Sequence, residues 1–135
     1  MVRFILAVVL CVFLIGCGEK AVSKSDSGAE ATARDYFESM IRSNWAEAYS
    51  ALHPESKRTL SLGQFSNYAQ MYRQKLGFEP QTLVIQSCTE REKDAVVHLV
   101  IKGTRQDRER IFKEGAVLKR TTDGWGIVLL DQHKK

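Results

Sequence analysis

Polar and apolar positions change rhythm three times along this chain. From Phe4 to Ile15 there is no charge and no strongly polar group. Residues 18–28 (GEKAVSKSDSG) are small, polar and aperiodic, which predicts a flexible tether. The next segment has a helical period, and from residue 81 the period becomes two.

The helical half divides into three predicted helices. In the first, Ala33, Tyr36, Phe37, Met40 and Ile41 occupy the i, i+3, i+4, i+7, i+8 positions of one face. Glu30 with Arg34 and Glu38 with Arg42 are i,i+4 pairs in the favourable order, and Ser27 with Glu30 has capping-box spacing. Asn44 and Glu47 predict the start of a second, short helix whose apolar face is Trp45, Ala48, Tyr49 and Leu52. Pro54 disfavours helical geometry at His53 and predicts its end there, with residues 54–58 (PESKR) able to add one further turn. Ser61 caps the third, over 62–76, with Gln64 at the third helical position. Leu62, Phe65, Tyr68, Ala69, Tyr72 and Leu76 form its stripe, and Gly77 suits the left-handed stop.

Four strands follow. Leu83 and Ile85 share a face in the first, as do Ala95, Val97, Leu99 and Ile101 in the second, with Val96, His98 and Val100 opposite. The third strand continues through Phe112 and Ala116, with a bulge expected at Glu114-Gly115. Asp123-Gly124 signals the last hairpin. Helices followed by an antiparallel meander predict an α+β fold, with N-terminal helices packed on a curved four-stranded sheet in a cone-like arrangement. This order, with the stretch "YFESMIRSNWAEAYSALHPESK", resembles the nuclear transport factor two-like, or cystatin-like, superfamily. The resemblance implies a pocket between helix and sheet. Some relatives are isomerases or dehydratases, others bind ligands, and many dimerise through the sheet, so a homodimer is one expectation. Fold alone does not choose among these.

The apolar run follows a single positive charge, Arg3, and is about a dozen residues long, as in a secretory signal. A membrane-spanning helix needs about 20. It ends in Leu14-Ile15-Gly16-Cys17, which resembles the lipobox of bacterial lipoprotein precursors, although Ile15 stands where Ala, Ser or Thr is commoner. The resemblance implies that residues 1–16 are a signal peptide and that Cys17 is the lipidation site, carrying a diacylglyceryl group. Residues 17–28 then tether a domain over 29–131, with 132–135 a polar tail. Two acyl chains anchor a protein stably where one does not. Gly18, in place of an aspartate, implies the periplasmic face of an outer membrane in a host with two membranes. With Cys11 removed and Cys17 lipidated, Cys88 is the unmodified thiol of the mature chain, and an intramolecular disulfide is excluded.

Charge adds little. The net charge is +4, but acids and bases alternate closely, as in residues 91–94 (REKD) and 105–110 (RQDRER). A mixed surface serves solubility, whereas nucleic-acid binding needs a clustered basic face. HExxH, CxxC, GxSxG and glycine-rich phosphate loops are absent, so no metal site and no cofactor is implied. Two residues could carry chemistry. His98 lies among valines in a central strand, and Glu114 stands where a core residue is expected. The leading expectation is a membrane-anchored envelope protein whose domain binds a small molecule or protein partner without catalysis. The alternative is a small pocket enzyme of isomerase or hydratase type that uses His98 and Glu114. The two readings differ in geometry: an enzyme needs both residues converging in an open cavity, not a cone filled by Phe, Leu and Tyr.

Overall fold

The computed structural model describes residues 28–129. The apolar run, the lipobox with Cys17, the tether before Gly28 and the polar tail lie outside them.

Helix α1 (Gly28–Ile41) buries Ala29, Ala33, Tyr36, Phe37 and Met40, the face its spacing predicts. Ser43 takes a left-handed turn (φ 58°), and Asn44 then caps α2 (Trp45–Ser50) by accepting the Glu47 N–H. The expected return contact of the capping box is made between side chains, Asn44 Nδ2 donating to Glu47 Oε2 at 2.7 Å. Helix α2 stops before the proline requires it. The reason is tertiary: the Ile127 N–H donates to the Ala51 carbonyl and the His53 N–H to the Ile127 carbonyl, so Leu52 is drawn into a parallel bridge with Ile127. His53 then caps α3 (Pro54–Thr59), its Nδ1 accepting the Glu55 N–H at 3.1 Å. The PESKR turn is therefore a helix of its own, and the described residues form four helices rather than three. Helix α4 (Leu62–Leu76) carries the full Ser61–Gln64 capping box and ends at Gly77, whose φ of 70° suits glycine.

Strands β1 (Glu79–Glu90), β2 (Asp94–Arg105), β3 (Arg108–Arg120) and β4 (Trp125–Val128) pair antiparallel in sequence order. Gln106 and Asp107 both have positive φ (51° and 58°) and close the β2–β3 hairpin as a two-residue turn of primed type. No bulge occurs at Glu114-Gly115. The register there is unbroken, Leu99 opposite Glu114 and His98 opposite Gly115. The carboxylate needs no bulge to escape the core, because a tyrosine hydroxyl meets it inside. The irregularities fall instead in β1, between Pro80 and Thr82 and between Ile85 and Ser87.

The helices cover one face of the sheet, as an α+β fold requires. Phe65, Ala69, Ala48 and the inner face of α1 pack on Ala95, Val97, Leu99, Ile101, Ala116, Leu118 and Ile127. Fully burying a residue such as Phe65 or Leu99 contributes about 1.5–3 kcal/mol. Helix α1 is fixed at its start by two contacts. The Ala29 N–H donates to Glu90 Oε1 at 3.3 Å, and Gly28 lies so close to the Trp125 indole that a Cβ there would stand 3.0 Å from it. It thus begins beside the β1–β2 turn, at the end of the sheet opposite the β2–β3 turn.

Candidate functional site

The site is best built from α4 upward. Helical spacing puts Phe65, Tyr68 and Tyr72 in one row, with ring centroids 6.0 and 6.4 Å apart. Tyr36 of α1 meets the row at Phe65 (6.3 Å), and Tyr49 of α2 meets the same ring at 5.6 Å. Below them, alternation along β3 turns Glu114 to the helix-covered face, opposite the buried Leu99. Tyr72 Oη donates to Glu114 Oε2 at 2.7 Å, and the Gly115 N–H donates to Oε1 at 3.0 Å. A carboxylate among aromatic rings is tolerable because both oxygens are engaged.

The electrostatics follow from that placement. Burial, then the hydrogen bond to Glu114 and its negative charge, push the Tyr72 phenol far above the ordinary tyrosine range. Burial and the same carboxylate raise Tyr68. In Tyr36, which is 3% exposed, burial dominates, with smaller contributions from Tyr68 and Glu114. Among the described residues, no lysine or arginine forms an ion pair with Glu114. The cluster holds phenols neutral against an occupied acceptor, which favours a fixed polar contact over proton transfer.

His98 is elsewhere. It pairs with Ser87 and Gly115 on the outer face of the sheet, exposed to solvent. The sheet itself separates it from Glu114, so the structure does not bring the two candidates together. His53 is the cap of α3, and its Nε2 lies 3.2 Å from the Arg120 carbonyl. Cys88 faces Val97 and packs against the core. Among the described residues, no group of three His, Cys, Asp or Glu side chains could hold a metal.

Little space remains inside the cone. A cavity of about 10 Å³ lies among Met40, Ile41, Tyr72, Leu76 and Ile101, room for one water at most. A larger open hollow of about 640 Å³ lies outside, between Trp45, Phe78 and the C-terminal turn of α4. Arg73 spans its floor, donating to the Ile41 carbonyl (3.1 Å) and to Glu79. Neither the hollow nor the role of Arg73 was legible in the sequence. Arg73 sits outside the apolar stripe of α4, and its partner arrives only when β1 folds back. The Tyr72–Glu114 contact had a signal, a carboxylate at an inward position of a strand facing a tyrosine-bearing stripe.

No protein-family model and no curated protein matches this chain. Solved structures do. A SEC-C motif containing protein from Rhodopseudomonas palustris superposes with a TM-score of 0.58 at 14% identity, over 78% of this chain and 80% of that one. A Campylobacter jejuni protein described as an NTF2-like transpeptidase gives 0.56 at 13% identity, over 77% of this chain and 100% of that one. An NTF-2 like protein of unknown function from Shewanella oneidensis MR-1 gives 0.51 at 9% identity, over 74% and 91%. The fold is NTF2-like. At these identities the likeness concerns the NTF2-like backbone alone, and activity has to be argued from this chain's own residues.

Proposed function

We propose that this chain is a lipid-anchored envelope protein, held by Cys17, whose NTF2-like domain binds a ligand or protein partner without catalysis. The observation that carries the non-catalytic half is the filled cone: Phe65, Leu99 and Tyr36 are buried together between helices and sheet, where the resemblance implied a pocket. Glu114 is engaged on both oxygens, and His98 lies on the far side of the sheet. The hollow of about 640 Å³ beside Arg73 offers a surface for a ligand. The transpeptidase description of the Campylobacter jejuni neighbour finds no counterpart in a Ser-x-x-Lys motif, which this sequence lacks. The anchoring half rests on Leu14-Ile15-Gly16-Cys17 at the end of the apolar run.

Cys17→Ala tests the anchor in the full chain, expressed in a bacterial host fed labelled fatty acid. Wild type is expected in the membrane fraction and labelled, and the variant neither. A variant that stays in membranes and takes up label overturns the reading.

A further inference from the structure

Sheet edges are normally guarded, because unpaired N–H and C=O groups recruit other strands. Two edges here are guarded. β1 carries Pro80 and two register irregularities along its length. β4 is covered by the Ala51–His53 segment through the two hydrogen bonds at Ile127. β3 differs. β4 pairs with it only over Val117–Arg120, so from Arg108 to Ala116 its outer edge meets no other described strand. That stretch is regular, and it exposes Ile111 (58%) and Phe112 (39%).

We infer that this edge pairs with the same edge of a second copy of the chain, antiparallel, about a two-fold axis at Ile111. The argument is charge complementarity. About Ile111 the sequence Arg108-Glu109-Arg110-Ile111-Phe112-Lys113-Glu114 carries opposite charges at 108 and 114 and at 109 and 113, while Arg110 mirrors the uncharged Phe112. Antiparallel pairing centred there sets Arg108 opposite Glu114 of the second copy, Glu109 opposite Lys113, Arg110 against the Phe112 ring and Ile111 against Ile111. Every charged pair is attractive, and each repeats through the two-fold. None of Arg108, Glu109, Arg110 and Lys113 has an ion-pair partner among the described residues, and Glu114 lacks a cation.

The backbone agrees. Arg105 and Arg108 close a two-residue turn and exchange hydrogen bonds, so alternation directs the even positions of β3 to β2. Glu109, Ile111 and Lys113 direct their N–H and C=O groups outward, where a second copy can take them. A register centred on Phe112 keeps only the Arg110–Glu114 attraction and leaves Lys113 facing Ile111. The chain's own residues 130–135 are the other candidate to extend β4 along this edge. Continuing its register places Asp131 beside Glu114 and Lys135 beside Arg110, both repulsive.

Cysteine cross-linking in the full chain tests this independently of the anchor. A hydrogen-bonded antiparallel pair holds its Cα atoms about 5.5 Å apart, within disulfide range. Ile111→Cys is therefore expected to give a disulfide-linked dimer on mild oxidation that wild type, with its own cysteines, does not give. Phe112→Cys lies diagonally from its mate, beyond the range of about 7 Å, and is expected to stay at the wild-type level. Adding Glu109→Lys to Ile111→Cys should abolish the dimer, and adding Lys113→Glu as well should restore it. The proposal is overturned if Ile111→Cys stays at the wild-type level, as it would with the edge occupied by the tail or another protein. It is equally overturned if Phe112→Cys cross-links as strongly, or if the charge reversal fails to restore the dimer.

Discussion

Tyr72 donates its phenolic proton to a carboxylate that the fold has half withdrawn from water. Removing that donor leaves Glu114 with the Gly115 N–H alone. Tyr72→Phe is expected to cost about 1.5–3 kcal/mol, the range for a hydrogen bond to a charged group. Glu114→Gln keeps an oxygen that can still accept from Tyr72 and should cost less. Urea denaturation of the two variants beside wild type measures the order, and an equal or larger loss in Glu114→Gln would show that the charge itself stabilises the fold. Both residues were visible in the sequence, Tyr72 as a stripe position and Glu114 as a misfit. Their meeting was not, because they stand 42 positions apart and only the seating of α4 over β3 joins them.

At the level of elements, local rules explain α1 and α4 well. Their inward faces follow side-chain spacing, and their termini follow capping chemistry that works within a few residues. The short elements answer to distant ones. Helix α2 ends where Ile127 captures the chain at Leu52, a contact made across more than half the described sequence. The register irregularities likewise fall in β1, and the sequence around Glu114-Gly115 suggested the wrong strand. The bridge at Leu52 also predicts a sensitive position. A Cβ on Gly126 would stand 2.5 Å from His53 Cα and 2.7 Å from its backbone nitrogen, atoms that cannot rotate away. Gly126→Ala is expected to destabilise by about 1–3 kcal/mol, the scale of overpacking in a tight site. Gly63→Ala in α4, where the nearest atom is Ser61 Oγ at 4.0 Å, should be neutral or stabilising. Thermal melts of the pair check the contrast, and equal melting temperatures would remove the bridge as a structural constraint.

The whole molecule has an alkaline weakness. Tyr36 and Tyr72 keep their protons in the fold to a pH well above the value of about 10 at which an unfolded tyrosine ionises. Above that pH the unfolded chain sheds protons that the folded chain retains, so unfolding is favoured. The stabilisation is complete below pH 10 and is lost as pH rises beyond it, by about 1.4 kcal/mol per pH unit for each such group. Urea midpoints measured from pH 9 upward are expected to hold and then fall. Tyr72→Phe, with one fewer group to titrate, should fall less steeply, and a profile unchanged by that substitution would place the sensitivity elsewhere.

The start of α1 against Trp125 and Glu90 has a mechanical consequence. If the anchor proposed at Cys17 holds the chain, the domain would hang from one pole of its sheet through Gly28. β2 has 12 residues, and at about 3.3 Å each its far turn stands about 40 Å away, so a single copy held at Cys17 can rise from the bilayer like a post. Joining two copies edge to edge at Ile111 reverses one against the other, and the leashes then leave from opposite ends. Both can reach one bilayer only if the joined sheet lies along it. Association of two copies would tip the domain from standing to lying, turning a sheet face rather than the Gln106-Asp107 turn toward whatever passes above.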